Sequence, residues 1–110
     1  MAMTQTQYAL SKVAEEATEI AKECHKIMHF GFNSFDPNDP KRVKNIDRLI
    51  AELHDLEGAL LFLRDNSGGE FEFIPDTCTA LAKYDKIARH MGYAIESGNV
   101  EPFDLEDEDE

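Results

Sequence analysis

A helical pattern of nine residues occurs twice in this chain and constrains the fold more than any other feature. The first copy covers residues 12–20 and reads Lys-Val-Ala-Glu-Glu-Ala-Thr-Glu-Ile. The second copy covers residues 48–56 and reads Arg-Leu-Ile-Ala-Glu-Leu-His-Asp-Leu. In both copies apolar residues recur every three or four positions, which is the periodicity of an amphipathic helix. The chain is therefore predicted to contain two matching helices.

Each copy also carries two acids three residues apart, beside the apolar stripe. The pairs are Glu16 with Glu19 and Glu52 with Asp55. A step of about 100° per residue places both pairs at the same position relative to the apolar arc of their helix. If the helices pack by these arcs, with axes roughly 8 to 10 Å apart, all four carboxylates reach one pocket at the rim of the core.

Four clustered carboxylates indicate a site for a hard divalent cation. Without a cation they repel one another and raise some of their own pKa values. Oxygen ligands favour magnesium, manganese or calcium over zinc or copper, and magnesium commonly shares its coordination sphere with substrate phosphates. We therefore predict Mg²⁺ as the cofactor, Mn²⁺ as its substitute, and nucleotide chemistry. The alternative is a solvated face that forms salt bridges with Lys12, Lys22 or Arg48.

The acidic motif has a counterpart in a known superfamily. Glu15-Glu16-x-x-Glu19 followed by Glu52-x-x-Asp55, on two amphipathic helices, resembles the signature of the all-α nucleoside triphosphate pyrophosphatases. This superfamily includes MazG-type enzymes, dimeric dUTPases, dCTP pyrophosphatases and phosphoribosyl-ATP pyrophosphatase.

The resemblance covers about residues 8–92, and residues 12–20 are especially similar to MazG-like and phosphoribosyl-ATP pyrophosphatases. Two features of this chain depart from the usual sequence pattern of the superfamily. Gly58 interrupts a helix that is usually hydrophobic there, and we expect it to mark close helix packing. No aromatic-His pair follows Asp55, as it tends to in the phosphoribosyl-ATP enzymes, so we prefer the MazG-like branch.

The resemblance implies a magnesium-dependent enzyme that cleaves the α–β phosphate bond of (deoxy)nucleoside triphosphates and releases pyrophosphate. It implies Glu16, Glu19, Glu52 and Asp55 as metal ligands. One further carboxylate, with Glu15 and Glu19 as the catalytic candidates, would orient or deprotonate the attacking water. The alternatives are a hydrolase like phosphoribosyl-ATP pyrophosphatase and a non-catalytic helical binding or regulatory protein.

Further residues are candidates for substrate binding. Lys83 and Lys86 belong to a cationic strip on a third predicted helix; the alternative is that they are exposed residues that balance an acidic protein. Asn33 lies among phenylalanines that could stack on a base, and it could bond to the edge of that base, although we favour packing of this loop against the core as the explanation for these aromatic residues. The substrate-binding assignments are Lys12, Asn33, Lys83 and Lys86.

Turn and capping residues divide the chain into helices. The first is expected from about Thr4 to Phe30. Asp39 is a candidate N-cap with Pro40 as the first residue of the second helix, which runs to about Asp65. Residues 71–74 alternate and could be extended. The third helix is expected to begin after Pro75 and Asp76 and to end near Met91, with a weak continuation to Ile95.

The predicted fold class is all-α, a small helical bundle of three main helices completed by homo-oligomerisation. A chain of 110 residues forms one domain, and three helices of this size bury little surface alone. A homodimer or homotetramer would complete such a bundle. We expect the pyrophosphohydrolase domain to cover residues 1–98 and a disordered acidic tail to cover residues 99–110.

Charge and hydropathy exclude two classes of partner. The net charge is −12, and residues 101–110 contain seven acids and no base. An acidic surface disfavours nucleic-acid polymers, whose phosphates need basic residues. No apolar run approaches the ~20 residues of a membrane span, and the first 25 residues do not resemble a signal peptide. With two cysteines that we expect to be unpaired, these features favour the cytoplasm of a bacterium or of a phage-infected host cell.

Overall fold

The computed structural model describes residues 1–102, which contain three helices: α1 (Gln5–Phe30), α2 (Asn45–Asp65) and α3 (Thr77–Glu96). Within these residues there is no strand, only an isolated bridge between Phe35 and Lys44. The predicted all-α class is confirmed. None of the three helices is long and apolar enough to cross a membrane. The acidic residues from 103 onwards, most of the predicted tail, lie outside the described part.

The chain forms two compact units, one over residues 1–73 with α1 and α2, and one from residue 74 onwards with α3. Contacts at both ends show that α1 and α2 are antiparallel. Near the start of α1, Thr6 Oγ1 donates a hydrogen bond to the carbonyl oxygen of Asn66, just beyond α2, at 2.7 Å. At the other end, Asn45 Nδ2 donates to the carbonyl oxygen of Gly31 at 3.1 Å.

The bounds of α1 agree with the prediction because capping residues mark both of its ends. Thr4 and Gln7 form a capping box, in which the Thr4 hydroxyl accepts from the Gln7 amide and the Gln7 side chain accepts from the Thr4 amide. At the other end Gly31 has φ of 91°. A residue with a Cβ is disfavoured at this φ, so glycine suits the position where the chain leaves the helix.

The predicted start of the second helix at Asp39 and Pro40 is wrong. Helix α2 begins five residues beyond Pro40, at Asn45, with Lys44 as an N-cap residue whose side chain forms no capping hydrogen bond. Residues 31–44 form a loop instead, and the isolated bridge between its two arms closes it. The pattern of an acid followed by proline fits a tight turn as well as a helix start, and here it forms the turn.

The carboxylate of Asp39 stabilises this loop and links it to α2. It accepts hydrogen bonds from the backbone amides of Lys41 and Val43, each at 3.0 Å, and from Arg48 Nη2 at 2.7 Å. The two amide hydrogen bonds, and then the guanidinium, hold the pKa of Asp39 below its ordinary value. Asp39 therefore caps a turn and positions Arg48.

The last predicted helix is confirmed and extends further than its main prediction. Asp76 is the N-cap residue of α3 and accepts from the Thr79 amide at 3.2 Å. The helix passes through Gly92 and ends at Glu96, so the continuation beyond Met91 is part of the helix. Residues 71–74 form no strand.

The packing of α1 on α2 uses only one side of the predicted apolar arcs. Among the described residues only Ala9 and Leu63 are fully buried apolar side chains. The half-buried residues of the pair include Val13, Ile20 and Ile27 on α1, and Leu49, Leu56 and Leu60 on α2. The other side of each arc is exposed, including Leu10, Met28, Ile50, Leu53 and Leu61.

The expectation that the helices pack by the centres of their apolar arcs, with the acids at the rim, is therefore wrong. At about 100° per residue, the contact face of each helix is rotated by roughly 90° from the centre of its apolar arc. The rotation has the same sense in both helices. Because the helices are antiparallel, the exposed sides of the two arcs face the same direction, and together they make up the exposed apolar surface of the helix pair.

Candidate metal centre

Three acids from the two helices meet in the contact between α1 and α2. Carboxylate oxygens of Glu16, Glu52 and Asp55 all lie within 4.8 Å of one another. Glu16 and Glu52 are half-buried, and Asp55 is exposed. The fold therefore brings together three of the four predicted ligands, and it takes them from both copies of the repeated motif.

Helical periodicity explains why these acids face each other. Glu16 lies seven residues after Ala9, which is fully buried, and positions seven apart occupy nearly the same face of a helix. Glu52 lies seven residues after Asn45, which is also buried. Each of these two acids therefore lies near the middle of its contact face, and the partner helix partly shields it from water.

Shielding and crowding change the acidity of Glu52. Partial burial raises the pKa of Glu52 above its ordinary value; a hydrogen bond with Glu16 raises it further, as do the charges of Asp55, Glu16 and Glu19. Two carboxyl groups share a hydrogen bond only when one of them holds a proton. The cluster therefore favours a positive partner, and a divalent cation can take the place of that proton.

Glu19, the fourth predicted ligand, lies outside this close group of three oxygens. It is half-buried on α1, three residues after Glu16, and its charge still acts on Glu52. It lies close to the cluster, but its roles as ligand and as base stay predictions.

Glu15, the other catalytic candidate, forms an ion pair with Lys12. Lys12 Nζ lies 3.1 Å from Glu15 Oε2, and this hydrogen bond and charge raise the pKa of Lys12. Both side chains are about half exposed, at 41% and 57%. A surface pair of this kind contributes little to stability, so Lys12 can exchange this partner for another anion.

A groove of about 560 Å³ runs beside the cluster and includes two of its acids, Glu16 and Asp55. Lys12 and His54 supply basic groups to the same groove, and Tyr8 and Phe62 form part of its apolar wall. Gly58 also lines the groove. A Cβ at this position would meet nothing within 4 Å, so the expectation of close helix packing at Gly58 is wrong.

Glu23 is a buried acid that is not among the site residues predicted from the sequence. It is only 5% exposed, and Oε1 accepts from Lys26 Nζ at 3.2 Å. Its other oxygen, Oε2, is buried and has no hydrogen-bond partner among the described residues. Glu23 follows Glu16 by seven residues, so the periodicity that defines the contact face could have identified it. The contact between α1 and α2 thus contains acids over about two turns of α1.

The other predicted substrate-binding residues are all exposed. Asn33 is exposed in the loop between α1 and α2. Lys83 and Lys86 are exposed on α3, in the second unit. Their contribution to the site stays a prediction.

Comparison of the chain with protein-family models, with curated proteins and with solved structures gives no match. The resemblance to the all-α pyrophosphatases therefore rests on the acidic motif alone.

Proposed function

We propose that this protein is a Mg²⁺-dependent nucleotide pyrophosphohydrolase of the MazG-like type. It would cleave the α–β phosphate bond of (deoxy)nucleoside triphosphates and release the monophosphate and pyrophosphate. The observation that carries the proposal is the group of three carboxylates that α1 and α2 contribute jointly, in which Glu16 and Glu52 hold the matching position of the repeated motif.

The donor set suits magnesium. All three groups are hard oxygen donors, and together they leave coordination positions for water and for phosphate oxygens. Glu16, Glu52 and Asp55 would hold the ion, with Glu19 as the nearby fourth ligand. The ion would neutralise the charge that develops on the phosphates and position a water for in-line attack.

The protein's own groups support binding and proton transfer around that site. Lys12 lines the groove beside the cluster and can pair with a phosphate oxygen in place of Glu15. Release of Glu15 from Lys12 would leave its carboxylate free to accept a proton from water. Glu19 is the other candidate for this step, because it is half-buried beside Glu52.

A pyrophosphate-release assay tests the proposal. The full chain is incubated with canonical and modified nucleoside triphosphates and with phosphoribosyl-ATP, each with Mg²⁺, with Mn²⁺ and with chelator. We expect metal-dependent release of pyrophosphate from at least one of the triphosphates. Release from phosphoribosyl-ATP alone would instead indicate the alternative hydrolase, and no release from any compound would refute the enzyme.

We also propose that the apolar surface of the helix pair forms a homo-oligomeric interface. Leu53 lies near the middle of the exposed arc of α2 and is 48% exposed, and Leu10 and Met28 extend the surface onto α1. Exposed apolar residues that share one side of a structure can form a protein–protein contact. A second copy of the same pair would bury it and complete a four-helix bundle.

Leu53→Lys is expected to weaken self-association by at least about thirtyfold, because it places a charge in the middle of an apolar contact, where the loss of a hot-spot residue costs about 2 kcal/mol or more. Ala51→Lys is the matched control, because it adds the same charge at an exposed position on the opposite side of α2. Analytical ultracentrifugation measures both. A wild-type chain that sediments as a monomer at every concentration would refute the interface, as would equal effects of the two substitutions.

A further inference from the structure

A second cavity, of about 520 Å³, lies at the other end of the contact between α1 and α2. The last turns of α1, the 31–44 loop and the first turn of α2 enclose it. Its volume falls within the range of roughly 300 to 1,000 Å³ that is typical of small-molecule pockets. The residues that matter for its chemistry are Lys26, Phe30, Ser34, Phe35, Asn45 and Arg48.

The walls of this cavity are held in place by backbone hydrogen bonds. The amide of Asn45 donates to the carbonyl oxygen of Ser34 at 2.8 Å, and the amide of Ile46 donates to that of Phe32 at 2.9 Å. The bridge between Phe35 and Lys44 joins the two arms of the loop. The loop is therefore attached to the start of α2, and the cavity exists before any ligand binds.

Two aromatic rings of the cavity are accessible to a ligand. Phe30 is 69% exposed and Phe35 is 39% exposed, although aromatic side chains normally gain stability by burial. The guanidinium of Arg42 lies 5.7 Å from the centroid of the Phe35 ring, so a cation already covers part of that side chain. A flat ring that stacks on Phe30 or Phe35 would cover apolar surface that water now contacts.

The polar groups of the cavity suit the edge of such a ring. Asn45 is 6% exposed, and its bond to Gly31 uses one of the four hydrogen-bonding positions of the amide. That bond also fixes the orientation of the amide. Arg48 is fixed in the same way by its 2.7 Å bond to Asp39. An amide held in one orientation can both donate and accept hydrogen bonds, so it can recognise a ring that carries donors and acceptors along its edge.

The cavity is also close to the acidic cluster along α2. Arg48 precedes Glu52 by four residues, which is one helical turn or about 6 Å along the axis. The cavity and the acidic cluster are therefore about one helical turn apart along α2. This arrangement fits a molecule that joins a heterocyclic base to phosphates.

We propose that this cavity binds the nucleobase of the substrate, with Phe30 and Phe35 stacking on the base and Asn45 bonding to its edge. The inference rests on the proposed function and deepens it. It transfers recognition of the base edge from Asn33, the residue selected from the sequence, to Asn45.

Binding of nucleosides in the presence of chelator tests this cavity apart from the metal site. Adenosine, guanosine, cytidine, uridine and thymidine carry no phosphate, so their binding does not need a cation. Titration of the isotope-labelled full chain, followed by NMR, is expected to shift the amide signals of Ser34 and Asn45 for at least one nucleoside.

Phe30→Ala and Phe35→Ala are each expected to weaken that binding about tenfold, because stacking on an aromatic side chain contributes substantially to base affinity. Phe32→Ala is the matched control. Phe32 lies in the same loop and is 55% exposed, but the described cavity lining does not include it, so the affinity should be unchanged. Phe30 is the more exposed of the two test positions, so its substitution is the safer for folding, which circular dichroism verifies.

The outcomes separate this inference from the proposed function. Lack of binding by every nucleoside overturns the cavity assignment, and so does binding that Phe30→Ala and Phe35→Ala leave unchanged. Inorganic tripolyphosphate with Mg²⁺ probes the acidic cluster alone. If nucleosides bind in a phenylalanine-dependent manner while tripolyphosphate does not bind and no pyrophosphate is released, the cavity assignment stands and the hydrolase proposal fails.

Discussion

Glu52→Gln is expected to reduce metal-dependent pyrophosphate release by at least about 100-fold, because stabilisation of charge by a bound metal is worth several kcal/mol in the transition state. Glu52 belongs to the acidic cluster, and its carboxylate lies within 4.8 Å of those of Glu16 and Asp55. Glutamine keeps the length of the side chain but binds a hard cation poorly. The substitution also removes a crowded negative charge, so helicity should be preserved.

Glu57→Gln is the control for this experiment. Glu57 lies on the same helix and is exposed, and it is not part of the cluster. Its substitution makes the same chemical change and should leave the rate unchanged. The initial rate of pyrophosphate release, measured at saturating Mg²⁺, compares the two variants. Full activity of Glu52→Gln would remove the assigned site.

Magnesium at about a hundred times its dissociation constant is expected to stabilise the folded protein by about 2.7 kcal/mol, since it binds the assembled cluster and not the unfolded chain. For a chain of this size that corresponds to a rise in Tm of roughly 10 °C. Both helices contribute carboxylates to the cluster, so a bound ion would link α1 to α2. Differential scanning calorimetry with Mg²⁺ and with chelator measures the difference.

The raised pKa of Glu52 makes this stabilisation depend on pH. A carboxyl group whose pKa is higher in the folded protein binds its proton more tightly there than in the unfolded chain. Without metal, the contribution of Glu52 to stability is therefore greatest below its ordinary pKa of 4.5, and it is lost as the pH rises from there through the raised value. Magnesium needs the ionised form, so the rise in Tm should grow over the same interval.

Glu52→Gln should remove both effects. Its Tm in chelator should exceed that of the wild type at neutral pH, because the repulsion with Glu16 and Asp55 is relieved, and magnesium should then add little. Glu57→Gln should behave like the wild type. An equal response to magnesium in Glu52→Gln and the wild type would show that the ion binds elsewhere.

The elements that sequence predicted well are those whose signals are local. Thr4 with Gln7 and Asp76 with Thr79 cap helices through neighbouring backbone groups, and Gly31 ends a helix because of its own φ. The start of α2 was mispredicted because Asp39 has two ways to satisfy its carboxylate. Its hydrogen bond with Arg48 joins residues nine positions apart. That bond forms only in the folded loop, so neighbouring residues in the sequence do not indicate it.

In the candidate site, too, some residues could be identified from local spacing and others only from the packing of the helices. The spacing of Glu16, Glu52 and Asp55 allowed them to be selected from the sequence, and the fold places them within 4.8 Å of one another. Glu23 and Asn45 were missed because an acid or an amide is ordinarily assigned to the surface. Their burial follows from the direction in which α1 faces α2, which depends on the packing of the whole pair.

The sequence by itself determined that the chain forms helices, where most of them end, and that two of them carry matching acids, because these properties follow from residues within a few turns of one another. Only the tertiary structure decided which side of each helix faces the other. Rotation of the contact by roughly 90° from the centres of the apolar arcs brings the acids into the contact and leaves one side of each arc exposed. The physical reason is that an amphipathic pattern specifies the apolar side of a helix, whereas the partner that covers that side is specified by the assembled fold.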